Sequence, residues 1–469
     1  MTSRYSCSAL KITIISFFIS GCQISNLELL QSNALPSAWL EKASKFKTSR
    51  EKAEADNSIT KPLNEIIDGA LADQNNGTDF LTVLGSALDR DPSLISQRRL
   101  VAARLAAIET VEARKNYQVT STLYGGIEDI TDDTKGIALG VNASRLIFDG
   151  GLIDAQILAK TYEAEAAKLD LQATIDQRAY RLGEIWLELE KYDSLKRLID
   201  ARLAVLDPLI SQLEEIAKAG IGDVSKVAAA QRTVSGIRVM QTNVSEGLAK
   251  ARLEYINAFG LVPSDVFYDS NFVEDLLPEE LGDDLVQKSS LLRAKYAVYK
   301  AAIAKLDARR AQSEFNIGFE ARAMRPFAGS GYDSDESIGL VARKTLYNGG
   351  VFESEISEAQ ALAESALAEV RSAFREGSRA VNSAQQTIES MDKAISLAKE
   401  NARVMADEIA YLRQQLIIGG STLDSVLSAE ARLYEVEAKE IHFLADKRKA
   451  ELQIVSAFGL LVPSLTSNQ

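Results

Sequence analysis

The sequence predicts a mainly α-helical protein with a smaller β-barrel portion. Three observations lead to this fold class: a unit of sequence that occurs twice, two long stretches with the apolar spacing of coiled coils, and short alternating stretches that precede each of them. Proline is rare, with 8 in 469 residues, and none lies between Pro326 and Pro463. That part of the chain is rich in strong helix formers, so long helices are expected there.

The N-terminal residues have the pattern of a bacterial lipoprotein signal. A basic start without acidic residues leads into the apolar run ITIISFFIS, which is too short to span a bilayer, and then into ISGC, residues 19–22. We expect residues 1–21 to be a signal peptide and Cys22 to be the lipidated N-terminus. Gln23, directly after the cysteine, resembles signals sorted to the outer membrane. The alternative is an ordinary secretory signal with an incidental cysteine.

Composition argues against several classes of function. The net charge of −13 makes nucleic acid an unexpected partner, because phosphate binding needs a basic face. With Cys7 removed and Cys22 acylated, the mature chain would have no free thiol. The single histidine, His442, lies in a helical pattern, where a packed or solvated role is expected. Since no P-loop or Rossmann glycine pattern occurs either, we expect no enzyme activity, no metal site and no cofactor.

The repeated unit aligns at an offset of 199 residues. Gly150-Gly151 falls on Gly349-Gly350, and AFGL at 258–261 falls on AFGL at 457–460, with no insertion between them. An inserted residue would rotate the rest of a packed helix by about 100°, so the gapless alignment favours long packed helices. Residues 151–259 and 350–458 are each predicted to form a long helix, a tight turn and a returning helix.

The outgoing helices are expected over about 151–219 and 350–418, each about 100 Å long. Apolar residues at three- and four-residue spacing, with many alanines, predict a coiled-coil seam. The turns KAGIGDVS and IIGGSTLD each place glycine where one helix ends and a Ser, Thr or Asp where the next begins. Pro208, whose counterpart in the second unit is Asp407, predicts a kink or break in the first helix only.

Alternating apolar and polar residues precede each glycine pair. The pattern is clear in GIALGVNASRLIF, residues 136–148, and in EFNIGFEARAM, residues 314–324, and it is weaker in 116–126 and 336–347. Two β-hairpins are therefore predicted, at about 116–148 and 314–347, each with one apolar face. Four strands cannot close a barrel, so a membrane barrel closed by several copies would cover both the sheet edges and the apolar face.

The glycine pairs mark the predicted strand-to-helix junctions. Glycine permits the backbone angles of a sharp turn, which explains its presence at Gly150, Gly151, Gly349 and Gly350. Aromatic residues near the predicted strand ends suit a membrane interface, although ordinary sheet packing would also explain them: Tyr117, Tyr124, Phe148, Phe327, Tyr332 and Tyr347.

In combination, these motifs resemble the TolC family of outer-membrane efflux and secretion channels. The resemblance rests on FDGG and YNGG at the junctions, on tip glycines followed by VAAAQRTVSGIR and VLSAEARLYEVEA, and on AFG closing each repeat. It covers about residues 78–464 and implies a homotrimer that forms a twelve-stranded barrel and a twelve-helix periplasmic tunnel. Such a protein is a passive duct, docked by a periplasmic adaptor and driven by an inner-membrane ABC or proton-driven transporter.

The resemblance also divides the chain into segments and places it in the cell. We expect an N-terminal extension, a first repeat, an equatorial linker, a second repeat and a tail, at residues 22–77, 78–263, 264–284, 285–464 and 465–469. The protein would be lipid-anchored in the outer membrane and would extend into the periplasm.

The helical hairpin tips are the expected functional sites. The resemblance assigns adaptor docking to small residues that leave grooves for a partner helix and that also cap helices: Gly220, Gly222, Gly419, Gly420 and Ser421. It places the channel entrance at Asp223, Asp424, Ser425, Ser428 and Glu430. Ser425 and Ser428 stand where well-known members have aspartates. We therefore expect weaker polar contacts at the mouth and a modest cation preference from Asp424 and Glu430.

One alternative comes from a different class of protein. A periplasmic adaptor or structural coiled-coil lipoprotein without a pore would share the helical hairpins but not the repeated strand-pair unit. It would also give no detergent-resistant oligomer on an unheated gel. The sequence does not separate small molecules, metals and secreted proteins as the cargo.

Overall fold

The structure, a computed structural model, describes residues 80–129, 134–220, 224–263, 271–278, 281–327 and 333–461. The chain divides into two compact units, Met1–Asp73 and Gln74–Gln469, and every described residue belongs to the second. The expected signal peptide, the lipidation site Cys22 and the N-terminal extension lie outside the described residues.

This part of the chain is mainly helical, with one antiparallel sheet. In chain order the elements are α1 (Phe80–Arg90), α2 (Pro92–Glu112), β1 (Gln118–Asp129), β2 (Thr134–Phe148), α3 (Leu152–Ala219), α4 (Val224–Phe259), α5 (Asn271–Asp275), α6 (Asp283–Lys288), α7 (Ser290–Ala311), β3 (Asn316–Pro326), β4 (Asp335–Arg343), α8 (Val351–Ile417) and α9 (Leu423–Ala457).

Both predicted helical hairpins are present. The 68 residues of α3 lead into α4, and the 67 residues of α8 lead into α9. The starts of α3 and α8, like those of α4 and α9, keep the offset of 199 found in the sequence. Helix α9 packs against α3, α4 and α8, so it joins the two hairpins. Buried alanines at three- and four-residue spacing line the seam of α8: Ala359, Ala363 and Ala366.

Pro208 does not break α3. The helix continues through it to Ala219. Pro208 removes the N–H that would bond the carbonyl of Ala204, but both residues are exposed, so water can reach that carbonyl. Leu206 and Ile210 on either side are buried in a cluster with residues of α4 and α9. The sequence predicted a kink or a break at Pro208, and the break is therefore wrong.

The four strands form a single antiparallel sheet in the order β1-β2-β3-β4. The two hairpins pair through β2 and β3, which leaves β1 and β4 at the edges. Strand β4 ends at Arg343, four residues before the predicted end at 347. The reason is that Arg343 already pairs with Asn316, the first residue of β3, so the residues beyond have no partner strand.

The two faces of the sheet differ in polarity. On one face the register places Leu123 opposite Leu139 and Phe319 opposite Leu340, in an apolar surface that is largely exposed. The other face is polar and includes Thr120, Thr122, Asn142, Ser144, Glu320, Arg322 and Ser337. This division follows from the period of two in the sequence, and it leaves an apolar face without a cover among the described residues.

Both strand-to-helix junctions have the same backbone conformation. The φ angles of Gly150 and Gly151 are 67° and 88°, and those of Gly349 and Gly350 are 72° and 87°. These values lie in the left-handed region that glycine adopts without strain, as the sequence predicts. The residue before the first pair satisfies free N–H groups of the next helix, because the carboxylate of Asp149 accepts from the N–H of Gly151 at 3.0 Å and of Ile153 at 2.7 Å.

An aromatic cluster anchors the start of the described chain on the helical hairpins. The ring of Trp186 in α3 lies 5.2 Å from that of Phe80 in α1 and 6.4 Å from that of Phe259 at the end of α4. Tyr255 completes the cluster, with its ring 4.6 Å from that of Phe259. This core fixes the end of α4 and the start of α1 against the middle of α3.

Candidate functional site at the helical hairpin tips

The tip between α8 and α9 is a closely hydrogen-bonded turn. The N–H of Gly420 donates to the carbonyl of Gln415 at 2.8 Å, and the N–H of Gly419 donates to that of Leu416 at 3.3 Å. Gly419 has a φ of 77°. This pair of bonds is a Schellman motif, which ends a helix and requires a left-handed residue at the position of Gly419.

The next helix begins with a side-chain cap. The hydroxyl of Thr422 accepts from the N–H of Ser425 at 3.2 Å, and the two hydroxyl oxygens lie 2.7 Å apart. Ser425 is thus occupied in capping α9, and Ser421 stands half-buried just before the cap. The turn is fixed at both ends, so it presents a defined surface.

The first tip is described in part. Gly220 follows α3 with a φ of 62°, which matches the left-handed conformation of Gly419. Gly222 and Asp223, predicted for docking and for the entrance, lie outside the described residues.

Large apolar side chains are exposed at both tips, a feature that the sequence analysis missed. Ile417 and Ile418 are 86% and 76% exposed at the end of α8, and Val224 is 81% exposed at the start of α4. Two adjacent residues of a helix point about 100° apart, so both isoleucines cannot enter one seam, and the dipeptide IIGG could have signalled this. Exposed apolar residues beside a rigid turn suit contact with a partner protein.

The residues predicted for the entrance have different environments. The carboxylate of Asp424 accepts a hydrogen bond from the hydroxyl of Thr233 at 3.1 Å, which links the start of α9 to α4. Ser428 lies about one turn beyond Asp424 and is half-buried. Asp424 therefore joins the two hairpins near the second tip.

Glu430 does not lie on an open surface. Its side chain is 3% exposed, and its carboxylate accepts from Arg413 of α8 at 2.6 Å and lies 3.7 Å from Arg202 of α3. Arg202 also forms an ion pair with Glu437 of α9. Because two guanidinium groups offset its charge, Glu430 is not the free carboxylate that the expected cation preference would need. The structure instead makes it a link between three helices.

His442 is an exposed residue of α9, which is compatible with the packed or solvated role expected from the sequence. Burial lowers the pKa of its imidazole, and the charge of Lys191 acts in the same direction. Within the described ranges, no group of three or more His, Cys, Asp or Glu side chains is placed to hold a metal ion. None of the described helices combines the length and apolar character that a membrane-spanning helix requires.

Comparison with known proteins finds this architecture among solved structures. No protein-family model matches the chain, and no curated protein sequence matches it. Solved structures do match. CusC, whose crystal structures address transmembrane channel formation, has 15% identity and a TM-score of 0.69 over 83% of this chain and 95% of its own.

Two further channels give similar values. The outer membrane protein VceC of Vibrio cholerae has 15% identity and a TM-score of 0.69, over 81% of this chain and 96% of its own. The MtrE outer membrane channel of Neisseria gonorrhoeae has 14% identity and a TM-score of 0.66, over 81% of this chain and 89% of its own. The described part of this chain therefore has the fold of the TolC-family outer-membrane efflux channels that its sequence resembles.

Proposed function

We propose that this chain is the outer-membrane exit duct of a tripartite efflux or type I secretion system. Three copies would close the sheet into a twelve-stranded barrel and the helical hairpins into a periplasmic tunnel. The two repeats of each chain, residues 78–263 and 285–464, would derive from an internal duplication. Cys22 would anchor each copy by lipid. The chain would be a passive conduit for a cargo that an inner-membrane transporter drives.

One observation carries this proposal: a sheet with two unpaired edges and one exposed apolar face continues directly into helices about 100 Å long. An apolar face and free edges are unfavourable in water, and both are resolved when copies close a barrel in lipid. The polar face would then line the lumen. The fold shared with known outer-membrane channels supports the same assignment.

A charge placed on either face of β4 tests the membrane assignment. Leu340 is on the apolar face and 68% exposed, whereas Gly339 beside it points to the polar face, where an added side chain would meet no atom within 4 Å. We expect Leu340→Lys to cost about 2–4 kcal/mol in lipid and to abolish both the heat-sensitive oligomer on gels and channel conductance in planar bilayers. Gly339→Lys should keep both. Equal behaviour of the two variants would contradict a lipid-facing surface at Leu340.

Adaptor docking at the tips is tested by crosslinking in intact cells. A cysteine at Ser421, half-buried in the second tip turn, should capture a periplasmic adaptor identified by mass spectrometry. A matched cysteine at Ser383, exposed in the middle of α8, should not. An adaptor that brings an ABC exporter would indicate protein secretion, and one bound to a proton-driven pump would indicate small-molecule efflux. Capture of the same adaptor at both positions, or at neither, would remove the docking assignment.

A further inference from the structure

A cavity lies where α3, α7, α8 and the end of α9 meet, far along the chain from either tip. Its volume is about 570 Å³, which falls within the range of small-molecule sites. Much of the lining is apolar and includes Leu292, Val381, Ile454 and Phe458. The cavity can therefore enclose an apolar body of several carbon atoms.

The charged groups of this cavity are all of one sign. Asp170 and Asp176 of α3 and Glu376 of α8 line it, and the described lining residues include no lysine, arginine or histidine. Lys295 acts on Asp170 from outside the lining and is itself paired with Glu369 at 2.9 Å. Three carboxylates without a cation in the same cavity favour a positively charged occupant.

Asp176 is the most buried of the three carboxylates. It is 4% exposed, and its Oδ1 accepts from the side-chain amide of Gln172 at 3.1 Å. The side chain of Ser290 also stabilises the charged carboxylate, whereas Oδ2 has no partner within hydrogen-bonding geometry. A methyl group at Gly459 would stand 3.2 Å from this free oxygen, so the glycine leaves room beside it. Burial raises the pKa of Asp176 to about 6, and the side-chain bonds from Gln172 and Ser290 act in the opposite direction by favouring the charged form. A buried acceptor without a donor is unfavourable, and a bound ammonium group would supply the donor.

We propose that this cavity binds small organic cations, namely amines with an apolar body whose ammonium group pairs with Asp176. The carboxylates are too dispersed to hold a metal ion, since no group of three or more ligating side chains is clustered within the described residues. An anion would be repelled by all three. Tyr180 and Phe458 add aromatic rings to the lining, which also favours a cation. The argument for this site does not depend on the proposed duct function.

Three probes of the same shape and different charge test the proposal on the full-length protein in mild detergent. Phenylbutylamine, phenylbutanol and phenylbutyrate are titrated by calorimetry at neutral pH. We expect the amine to bind and the carboxylate not to bind, with the alcohol about tenfold or more weaker than the amine. Asp176→Asn should weaken amine binding by about tenfold or more and leave the alcohol unchanged.

Two further variants separate the site from general effects. Glu215→Gln removes an exposed carboxylate near the end of the same helix and should leave amine binding unchanged. Ala373→Leu fills the cavity from α8 and should weaken both the amine and the alcohol while Asp176 remains in place, so it carries the test if Asp176→Asn does not fold. The proposal is overturned if the alcohol binds as tightly as the amine, or if the amine keeps its affinity in the Asp176→Asn or the Ala373→Leu protein.

Discussion

We expect Glu430→Ala to lower the free energy of unfolding by about 2–4 kcal/mol. The carboxylate is 3% exposed and lies 2.6 Å from the guanidinium of Arg413 and 3.7 Å from that of Arg202. Its removal leaves the charge of Arg413 without its partner in a partly buried contact between α8 and α9. The side chain of Arg413 is 40% exposed, so it can turn partly toward water, and the loss should fall below that of a fully buried pair.

Glu435→Ala is the matched control for this prediction. It removes the same side chain from the same helix, but Glu435 is exposed. We expect its effect to stay within about 0.5 kcal/mol when unfolding in detergent is followed by circular dichroism. A second comparison replaces both partners, with Glu430→Leu and Arg413→Met together, and should recover most of the stability, because no charge is then left unpaired. Equal losses for Glu430→Ala and Glu435→Ala would show that the buried link contributes nothing.

The features that sequence alone predicts are those decided by nearby residues. A glycine pair before a periodic stretch specifies a left-handed turn into a helix, and Gly150 and Gly349 adopt that turn with nearly the same φ. In the alternating stretches, the order of apolar and polar residues likewise determines which side chains form the apolar face of the sheet. The tip at Gly419 follows the same logic, since the Schellman bonds join residues within one turn.

The features that the sequence leaves open depend on distant partners. The burial of Glu430 is one of them, because the link from α9 to α3 joins residues far apart in sequence. Arg202 lies 3.7 Å from Glu430 and bonds to Glu437, which is 235 positions away. Strand β4 stops at Arg343 because its partner strand begins at Asn316, which no local pattern in YNGG could reveal. The cavity around Asp176 needs four helices to exist at all. Pro208 gives a further example. A proline by itself predicts an interrupted helix, but the buried packing of Leu206 and Ile210 on either side keeps α3 continuous.

The largest packing effect is expected where α9 crosses α3. Leu452 is fully buried in the cluster that includes Ala179, Leu182 and Trp186, and we expect Leu452→Ala to cost about 2–5 kcal/mol in the free energy of unfolding. Leu397→Ala removes the same atoms from α8 at a site that is 71% exposed, and should change stability by about 0.5 kcal/mol or less. The two variants therefore separate loss of core packing from a general effect of the leucine-to-alanine change.

Gly183 of α3 makes this prediction sharper, because it faces the same leucine. A methyl group at Gly183 would lie 2.5 Å from Cδ2 and 3.1 Å from Cδ1 of Leu452, so Gly183→Ala alone overpacks the crossing and should be destabilising by about 1–3 kcal/mol. In the Leu452→Ala background the same methyl group enters the space that the leucine has vacated. There Gly183→Ala should become stabilising, since it fills part of the cavity and alanine favours the helix by about 1 kcal/mol over glycine. Additive losses in the double variant would mean that the two helices do not meet at these residues, whereas a change of sign places the contact between α3 and α9 at this pair.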